Sequence, residues 1–301
     1  MPHHDTLSPP RTSVMIAVMT MPTTFTAACI QNSATPDVGH NIARCLDLVR
    51  AAATAGARFI ALPEYFSGLH TEGPRIVPVA FAEGDHPVLP AFAAAARDLG
   101  ASILLGSLAV TAPDGRIFNR SYLLDRAGRI AARYDKIHLF DVDLGEAGMI
   151  RESATIAAGD RAVLAVAEGA VIGLTICYDL RFAALYRAYA QAGAQVLAIP
   201  AAFTRITGEA HWHVLNRARA IENGAFVIAP CQHGKLTGGG ECFGHSLIVD
   251  PWGKVLADGG EGEGFVAADI DLALVAAARG RIPSLTHDRP FALSRRAEAA
   301  E

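Results

Sequence analysis

The segment around residue 177 has the composition of a nucleophile turn. Cys177 lies where the apolar segment VIGLTI (171–176) ends and the polar segment YDLR begins, ahead of a helical pattern. A strand that turns sharply into a helix lifts a reactive side chain to the edge of a sheet, so the thiol would face a cleft. The backbone N–H of Tyr178 would lie beside the sulfur and could donate a hydrogen bond to an oxyanion. A buried structural cysteine fits this segment equally well.

Two charged residues follow apolar strand patterns elsewhere in the chain. Glu64 closes the segment RFIALP, and Lys136 stands between ARYD and the apolar IHLF. The carboxylate is a candidate general base, and the ammonium is a candidate for stabilising negative charge. Each residue alone is also explained by an exposed position at a strand end. Together with Cys177 they predict an active site, because open α/β sheets place such sites at strand ends.

Strand and helix patterns alternate from residue 25 onwards. FTAACIQ predicts a strand, VGHNIARCLDLVRAAATAG an amphipathic helix ending at Gly56, and RFIALPE a buried strand, which together make a βαβ unit. The mixture of such units with hairpin-like strand pairs favours a mixed sheet, or two packed sheets, with helices outside. The predicted architecture is therefore an α/β sandwich. Further helices are predicted at 90–100, 181–193, 209–223 and 272–279.

Two other segments bear on the organisation of the chain. Residues 137–160 are polar, contain glycines and show little periodicity, which predicts a long loop bordering a binding site. FIALPEYF (59–66) and VLAIPAAF (196–203) are each an apolar strand closed by a proline and an aromatic residue. Two structurally similar halves would explain this likeness.

Length and composition indicate a globular domain. The 301 residues are 51% hydrophobic and 19% charged, with a mean hydropathy of +0.27, which is enough apolar material for a large core. No linker-like segment divides residues 25–290, which we predict to form a single domain. Residues 1–24 predict an unstructured N-terminal extension, and residues 291–301 a C-terminal tail.

Charge, hydropathy and cysteine usage argue against several classes of function. A net charge of −4 with scattered basic residues indicates no nucleic-acid partner. The most apolar region, 163–177, is too short and too polar to span a membrane. An odd number of cysteines without a CxxC pair predicts neither disulfides nor a zinc site and suits the reducing cytoplasm. These cysteines are Cys29, Cys45, Cys177, Cys231 and Cys242.

Two features that look like ligand sites are interpreted as structural. His211 and His213 stand at i and i+2, on different helix faces, so surface or capping roles are favoured over metal binding. The glycine run 238–240 lacks the strand–loop–helix context of a phosphate-binding loop. These segments therefore indicate neither a metal site nor a phosphate-binding loop.

Several segments carry a resemblance to a known family: LPEY, YDKIHLFDVD, GLTICYDLRF, TGEAHW, RARAIEN and GHSLIVDPWG. They resemble the nitrilase (carbon-nitrogen hydrolase) superfamily, in family order, across about residues 25–290. The resemblance implies a four-layer α-β-β-α sandwich of two mixed sheets with outer helices. It also implies a homodimer or larger homo-oligomer that acts on a small-molecule amide without a cofactor.

The resemblance also implies roles for individual residues. By residue-to-residue comparison, Cys177 is the nucleophile, Glu64 the general base, and Lys136 the cation that stabilises the tetrahedral intermediate. Glu152, in the segment RES after the long loop, would orient Lys136 or the substrate. The implied reaction hydrolyses a carboxamide through a thioester on Cys177, with Tyr178 N–H helping to bind the oxyanion, and releases ammonia and a carboxylic acid.

The residues flanking the nucleophile favour one branch of the superfamily. True nitrilases usually carry Trp-Glu after the cysteine, whereas this chain has Tyr178 and Asp179, so amide hydrolysis is favoured. IRES, AFTRITGEAHW and RARAIE resemble the branch of deaminated glutathione amidase and omega-amidase, which act on amides of 2-oxo acids. Arg181 is the candidate anchor for a substrate carboxylate, although it could pair within its helix instead. Phe203 and Thr207 are weaker pocket candidates.

The chain departs from the family pattern at three positions. Ala183 and Ala184 replace the usual Pro-Glu after RF, and His213 replaces the glutamate that commonly follows AHW. These departures leave the implied catalytic residues intact and affect substrate detail and subunit contacts. The favoured function is that of a deaminated glutathione amidase-like enzyme. The alternatives are an omega-amidase acting on 2-oxoglutaramate or 2-oxosuccinamate, an N-carbamoyl amino acid hydrolase, and a catalytically silent scaffold of the same fold.

Overall fold

The computed structural model describes residues 24–73, 75–112, 114–145 and 148–294. Within them the α-helices are α1 (Val38–Thr54), α2 (Val88–Leu99), α3 (Ala183–Gln191), α4 (Arg205–Asn223) and α5 (Ala273–Arg281). The first ten strands are β1 (Thr24–Gln31), β2 (Phe59–Ala61), β3 (Leu69–Glu72), β4 (Arg75–Pro78), β5 (Ala80–Phe81), β6 (Ser102–Thr111), β7 (Ile117–Leu124), β8 (Ile130–Asp135), β9 (Asp141–Asp143) and β10 (Met149–Arg151). The others are β11 (Ile156–Ala157), β12 (Val163–Ala167), β13 (Ala170–Leu174), β14 (Val196–Ala198), β15 (Phe226–Ala229), β16 (His233–Lys235), β17 (Glu241–Phe243), β18 (Leu247–Val249), β19 (Val255–Asp258) and β20 (Gly264–Asp271).

The predicted terminal segments fall largely outside the described residues. Of the predicted extension at 1–24, only Thr24 is described, and β1 begins there. Of the predicted tail at 291–301, residues 291–294 are described and form neither helix nor strand.

The strands form two mixed sheets. One has the order β11-β7-β6-β2-β1-β20, with β5 paired to β6 and β8 paired to β7. Its strands β1, β2 and β6 are parallel, whereas β20 and β7 pair antiparallel with β1 and β6. The other has the order β12-β13-β14-β15-β18-β19, in which β13, β14 and β15 are parallel and the remaining pairs antiparallel. The carboxyl ends of parallel strands from both sheets carry the site described below.

The two sheets pack face to face around a shared core. Alternation along β1 shows this arrangement, because Ala27 and Cys29 lie between the sheets whereas Ala28 and Ile30 pack with α1 and α2. On the other side, α3 and α4 cover the second sheet with buried side chains such as Tyr186. The expected four-layer α-β-β-α sandwich is confirmed.

The helices begin and end at recognisable local signals. Asp37 caps α1, because its side chain accepts a hydrogen bond from the backbone N–H of His40 at 3.0 Å. α2 and α4 end at Gly100 and Gly224, both in the left-handed conformation that favours glycine. In the part of the chain that is described, no helix combines the length and apolar character needed to cross a membrane.

The structure corrects the sequence interpretation in regions near the site. α4 begins at Arg205 rather than at 209. Residues 137–160 are not a plain loop, since they contain the β9–β10 hairpin, a 3₁₀ turn at Glu152–Ala154 and β11. Two further hairpins, β3–β4 and β16–β17, occupy segments for which no strands were predicted. Strands of two to four residues are too short to produce a recognisable period-two pattern.

Candidate active site

Glu64 is carried by a tight turn at the carboxyl end of β2. Tyr65, the next residue, has a left-handed φ of 52° and donates its backbone N–H to Ser107 Oγ at 3.1 Å. The turn approaches β6 where the β6–β7 pairing is irregular, next to Gly106. A Cβ added to Gly106 would lie only 1.9 Å from the carbonyl oxygen of Leu62, so only glycine permits this approach. The bulge therefore fixes the direction of the Glu64 carboxylate.

Lys136 follows β8 and joins two carboxylates. Its Nζ lies 2.9 Å from Glu64 Oε1 and 2.9 Å from Glu152 Oε2. Asn119 of β7 donates from Nδ2 to both carboxylates, at 2.8 Å to Glu64 and 3.2 Å to Glu152. The exposed fractions are 3% for Glu64, 1% for Lys136 and 6% for Glu152. These charged residues are thus buried and paired, rather than exposed at strand ends.

Glu152 reaches this cluster from the 3₁₀ turn that follows β10. Its Oε2 accepts a hydrogen bond from the backbone N–H of Phe140 at 2.6 Å, and its own N–H donates to the carbonyl oxygen of Phe140 at 3.3 Å. The segment at 137–160 therefore folds back so that one of its carboxylates contacts Lys136. This contact supports the expectation that the segment borders a binding site.

Cys177 occupies a strained turn after β13. Its φ is 49°, in the region that non-glycine residues rarely adopt, and its N–H donates to the carbonyl oxygen of Pro200 at 2.9 Å. The buried carboxylate of Asp179 holds the turn by accepting hydrogen bonds from the hydroxyl of Tyr134 at 2.6 Å and the backbone N–H of His138 at 3.1 Å. Since Tyr134 and His138 flank Lys136, Asp179 links the cysteine turn directly to the lysine.

The electrostatics of the site follow from burial. Burial, followed by the nearby negative charge of Glu64, raises the pKa of the Cys177 thiol well above its usual value, so the resting sulfur is protonated. Burial alone would lower the pKa of Lys136, but Glu152 and Glu64 outweigh it and hold that pKa well above its ordinary value. The site thus contains a neutral thiol, a cation and two carboxylates that line the same cavity.

A cavity of about 800 Å³ opens onto these side chains. Glu64, Lys136, Glu152 and Cys177 all line it. Hydrophobic side chains from several elements form much of the remaining wall, including Leu69, Ile76, Phe140, Ile150 and Leu236. A mostly apolar cavity with a few convergent polar groups is typical of a small-molecule site.

The cavity contains some of the predicted substrate-binding residues. Phe203 and Thr207 line it, as does Tyr178, the candidate oxyanion donor. Arg181 is not among the lining residues: its guanidinium lies 5.4 Å from the Phe203 ring centre, and its Nη1 lies 3.3 Å from His211 Nδ1. Its guanidinium lies against the rings of Phe203 and Tyr178, so the cavity wall lacks this predicted cation.

Another arginine takes that place in the wall. Arg205, the first residue of α4, lines the cavity and contacts Glu209, Glu241 and Glu261 at 3.0 to 3.1 Å. Lys235 on the β16–β17 hairpin also lines the cavity. The predicted helix start at 209 placed Arg205 outside α4, so the sequence interpretation missed this cation.

Tyr65 and Asn119 were also missed. The Tyr65 hydroxyl is buried at the cavity wall with no hydrogen-bond partner among the described residues, and charges on Glu152, Lys136 and Glu64 act on it. Asn119 lies in the strand segment RIFNRSY, where only its polarity within an otherwise alternating pattern could have drawn attention. Neither residue lies in a sequence pattern that would identify it as part of an active site.

Known proteins resemble this chain over nearly its whole length. The carbon-nitrogen hydrolase family model matches residues 26–280. A deaminated glutathione amidase from Synechocystis sp. is 38% identical over 268 residues, covering 87% of this chain and 97% of the relative. Human omega-amidase NIT2 is 35% identical over 272 residues, covering 89% and 96%.

A solved structure agrees with these sequence matches. The NitFhit protein of C. elegans superposes with a TM-score of 0.80 at 30% identity, over 88% of this chain. The chain spans 65% of the length of that larger protein. Because the family model covers most of the chain and two amidases match 87–89% of it, this chain belongs to the carbon-nitrogen hydrolase family of the nitrilase superfamily and hydrolyses carbon–nitrogen bonds of amides.

Proposed function

We propose that the chain hydrolyses an amide of a 2-oxo acid through a thioester on Cys177. The observation that carries the proposal is the contact of Lys136 Nζ with both Glu64 and Glu152, at 2.9 Å each, at the wall of the cavity that Cys177 also lines. A nucleophile, a base and a cation around one cavity are what amide hydrolysis by covalent catalysis requires.

Acylation begins with the protonated thiol. Glu64 accepts the proton of Cys177 while the sulfur attacks the carbonyl carbon of the amide. Negative charge then develops on the carbonyl oxygen, where the ammonium of Lys136 and the N–H of Tyr178 stabilise it. As the tetrahedral intermediate collapses, the carbon–nitrogen bond breaks and Glu64 returns the proton to the leaving nitrogen. The acyl group stays on sulfur as a thioester.

Deacylation repeats these steps with water. Glu64 removes a proton from water as its oxygen attacks the thioester carbonyl, and Lys136 again lies beside the developing oxyanion. The carbon–sulfur bond then breaks, the sulfur regains a proton, and a carboxylic acid leaves. Glu152 and Asn119 act as positioning residues in this scheme, because their hydrogen bonds hold Lys136 and Glu64 in place.

The dimensions of the cavity favour the larger of the two substrates suggested by the relatives. Deaminated glutathione has about 20 non-hydrogen atoms and 2-oxoglutaramate about 10, and sites of several hundred Å³ usually hold ligands of the larger size. Both are anions, so a cation in the wall is needed. We assign this anchor to Arg205, supported by Lys235, rather than to Arg181, because the first two line the cavity. A substrate carboxylate would replace one of the three glutamates that Arg205 now contacts.

Product identity separates the candidate substrates. Deaminated glutathione has no primary amide, so cleavage of its 2-oxoglutaryl amide releases cysteinylglycine, whereas 2-oxoglutaramate releases ammonia. The release of ammonia that we expected from the sequence therefore holds only for substrates with a terminal primary amide, such as 2-oxoglutaramate. We expect kcat/KM for deaminated glutathione to exceed that for 2-oxoglutaramate by at least about 10-fold, which is 1.4 kcal/mol of transition-state binding.

The experiment measures both products with the purified protein, using glutathione and glutamine as matched compounds that lack the 2-oxo group. A Cys177→Ala variant, which lacks the proposed nucleophile, provides the background rate of amide hydrolysis. Preference for 2-oxoglutaramate would instead assign the omega-amidase activity. Negligible rates with both 2-oxo amides, together with turnover of N-carbamoyl amino acids, would reject the branch assignment.

We further propose a homodimer in the cytoplasm. Val214 and Ile221 of α4 and the nearby Trp252 expose large apolar side chains, which favours association of two copies through this face. Light scattering coupled to size exclusion tests this, with a Val214→Glu variant expected to weaken the dimer. All five cysteines are unpaired and buried, which suits a reducing compartment.

A further inference from the structure

A second cluster of chemically active side chains lies outside the cavity. His213 of α4, His245 in the turn before β18 and Asp258 at the end of β19 come together there. His213 Nε2 lies 2.9 Å from Asp258 Oδ2, and His245 Nδ1 lies 2.8 Å from Asp258 Oδ1. One donor atom from each of the three side chains lies within 4.8 Å of the others. None of the three residues lines the cavity.

The backbone and its neighbours fix His245 in this cluster. Its φ is 53°, its N–H donates to the carbonyl oxygen of Gly260 at 2.6 Å, and its carbonyl oxygen accepts from Trp212 Nε1 at 2.7 Å. The imidazole ring stacks on the ring of Phe243, with centres 4.5 Å apart. A left-handed backbone held from both sides orients the ring toward Asp258, so this ligand is preorganised.

Asp258 is oriented by the backbone as well. Its Oδ1 accepts a hydrogen bond from the N–H of Gly260 at 2.9 Å, in addition to facing His245. The other oxygen faces His213, which projects from the helix. The carboxylate therefore has one histidine on each of its oxygens, and three separate elements of the fold supply the three donor groups.

We propose that His213, His245 and Asp258 form a binding site for a divalent transition metal of the zinc class. Two imidazoles and one carboxylate are a donor set that Zn²⁺ accepts in tetrahedral geometry, with water in the fourth position. Tetrahedral ligands at about 2.0–2.1 Å from the ion lie about 3.3 Å apart. The observed separations of 2.8 and 2.9 Å run to different oxygens of Asp258. Zinc binding therefore requires the carboxylate to turn one oxygen toward both rings, and the three donor atoms, now within 4.8 Å of one another, to reach that spacing.

Binding requires a simple rearrangement of protons. Each imidazole now faces the carboxylate across a hydrogen bond, so one proton lies between each ring nitrogen and Asp258. In the metal-bound form each neutral ring carries its proton on its other nitrogen, and the nitrogen that faces Asp258 offers a lone pair. The side chains are 24–37% exposed, which gives an ion access from solvent.

The site would join α4 to the β18–β19 edge of the second sheet. Phe243, which stacks on His245, follows Cys242, and Cys242 lines the cavity. A bound ion therefore stabilises the fold behind one wall of the cavity without contacting substrate. The two histidines are 32 positions apart in sequence, which explains why the sequence alone gave no metal-binding pattern.

The test measures bound zinc per chain and the thermal unfolding midpoint. The protein carries Cys177→Ala, so that zinc cannot bind the catalytic thiol, and no affinity tag; it is stripped with a chelator and then titrated with Zn²⁺. We expect one equivalent, and a midpoint raised by about 5 °C at a 100-fold excess over the dissociation constant. His213→Gln in this background should weaken zinc binding at least about 10-fold. Even the loss of a residue that only hydrogen-bonds to a metal ligand typically lowers metal affinity by about 10- to 100-fold.

His211→Gln is the matched control, since His211 lies on the same helix, two residues away, and faces Arg181. It should keep the full equivalent, whereas Asp258→Asn, which preserves side-chain shape, should lose it. Circular dichroism verifies that each variant is folded. Less than about 0.2 equivalents in the parent, or equal binding by the parent and both site variants, overturns the proposal. The result does not depend on amidase activity, so it is independent of the proposed function.

Discussion

The floor and the rim of the cavity are built in different ways. The floor consists of Glu64, Lys136, Glu152 and Cys177, which are less than 10% exposed and lie next to strands of the two sheets or in the turn after β10. The rim consists of the β3–β4 and β16–β17 hairpins and the start of α4, where Ile206 is 60% exposed. The difference suggests that the sheets determine the reaction, whereas short surface elements determine which amide is accepted.

The rim is nevertheless ordered by its own contacts. Thr71 of β3 donates its backbone N–H to the carbonyl oxygen of Thr237 at 2.9 Å and its hydroxyl to that of Gly239 at 2.7 Å. The glycine run at 238–240, in which every φ is positive, is therefore the turn of the β16–β17 hairpin. Its hydrogen bond with Thr71 connects that hairpin to the β3–β4 hairpin. Changes in the floor should therefore abolish turnover of every substrate, whereas changes in the rim should alter substrate preference.

Replacing Lys136 should have the largest effect. Lys136→Met leaves two buried carboxylates without their cation, which should cost about 3–5 kcal/mol of unfolding free energy. Loss of the oxyanion cation should also reduce kcat by at least about 10²–10³-fold. Denaturant unfolding and steady-state kinetics measure the two effects. Lys235→Met, in the rim, is the control and should change neither by a comparable amount.

Replacing Glu64 tests the base while Lys136 stays paired with Glu152. Glu64→Gln keeps the side-chain shape and removes the proton acceptor, so kcat should fall by about 10²–10³-fold for all amides. Glu209→Gln, in the rim beside Arg205, is the matched control and should retain turnover. Wild-type activity in the Glu64→Gln variant would show that another group takes the thiol proton.

Arg205 tests the rim. Arg205→Gln should raise KM for an anionic 2-oxo amide by about 10-fold, as expected for a lost charge-assisted contact, and leave kcat nearly unchanged. A neutral amide of similar size should be affected much less. Arg181→Gln is the control outside the cavity. If Arg181→Gln raised KM and Arg205→Gln did not, the original sequence-based anchor would be the right one.

Tyr65→Phe should have the smallest effect and lies at the boundary of the two regions. Removing a buried hydroxyl that has no partner among the described residues should leave stability unchanged or slightly improved. Turnover should fall by only about 3-fold, less than the about 10²-fold cost of losing a direct oxyanion donor. A loss as large as that of Glu64→Gln would place Tyr65 in the floor.

The same contrast explains how much the sequence revealed. β1 and α1 were predicted with nearly their observed bounds, because a buried strand of eight residues and an amphipathic helix of 17 residues have strong periodic patterns. The strand predicted at RFIALPE is shorter than expected, since β2 ends at Ala61 and Glu64 lies in the turn beyond it. Family motifs identified Glu64, Lys136 and Cys177, which the structure places at one cavity. Strands as short as three residues, such as β16 and β17, carry no such pattern.

Contacts between residues distant in sequence could not be predicted, for a different reason. Arg181 was chosen as an anchor because it follows the nucleophile turn, yet its side chain packs on the rings of Phe203 and Tyr178 and does not line the cavity. His213 was assigned to the surface because it was compared with His211, its neighbour on the helix, and its actual neighbours His245 and Asp258 come from distant segments. Local spacing does not specify which side chains tertiary packing brings together.

The most direct test of the account is intact-mass spectrometry of the protein quenched during turnover of a 2-oxo amide. We expect a mass increase equal to the acyl group of the substrate, which peptide mapping assigns to Cys177, and no increase in the Cys177→Ala variant. An unchanged adduct in Cys177→Ala, or full turnover by that variant, would contradict the claim that the floor of the cavity acts through acylated sulfur.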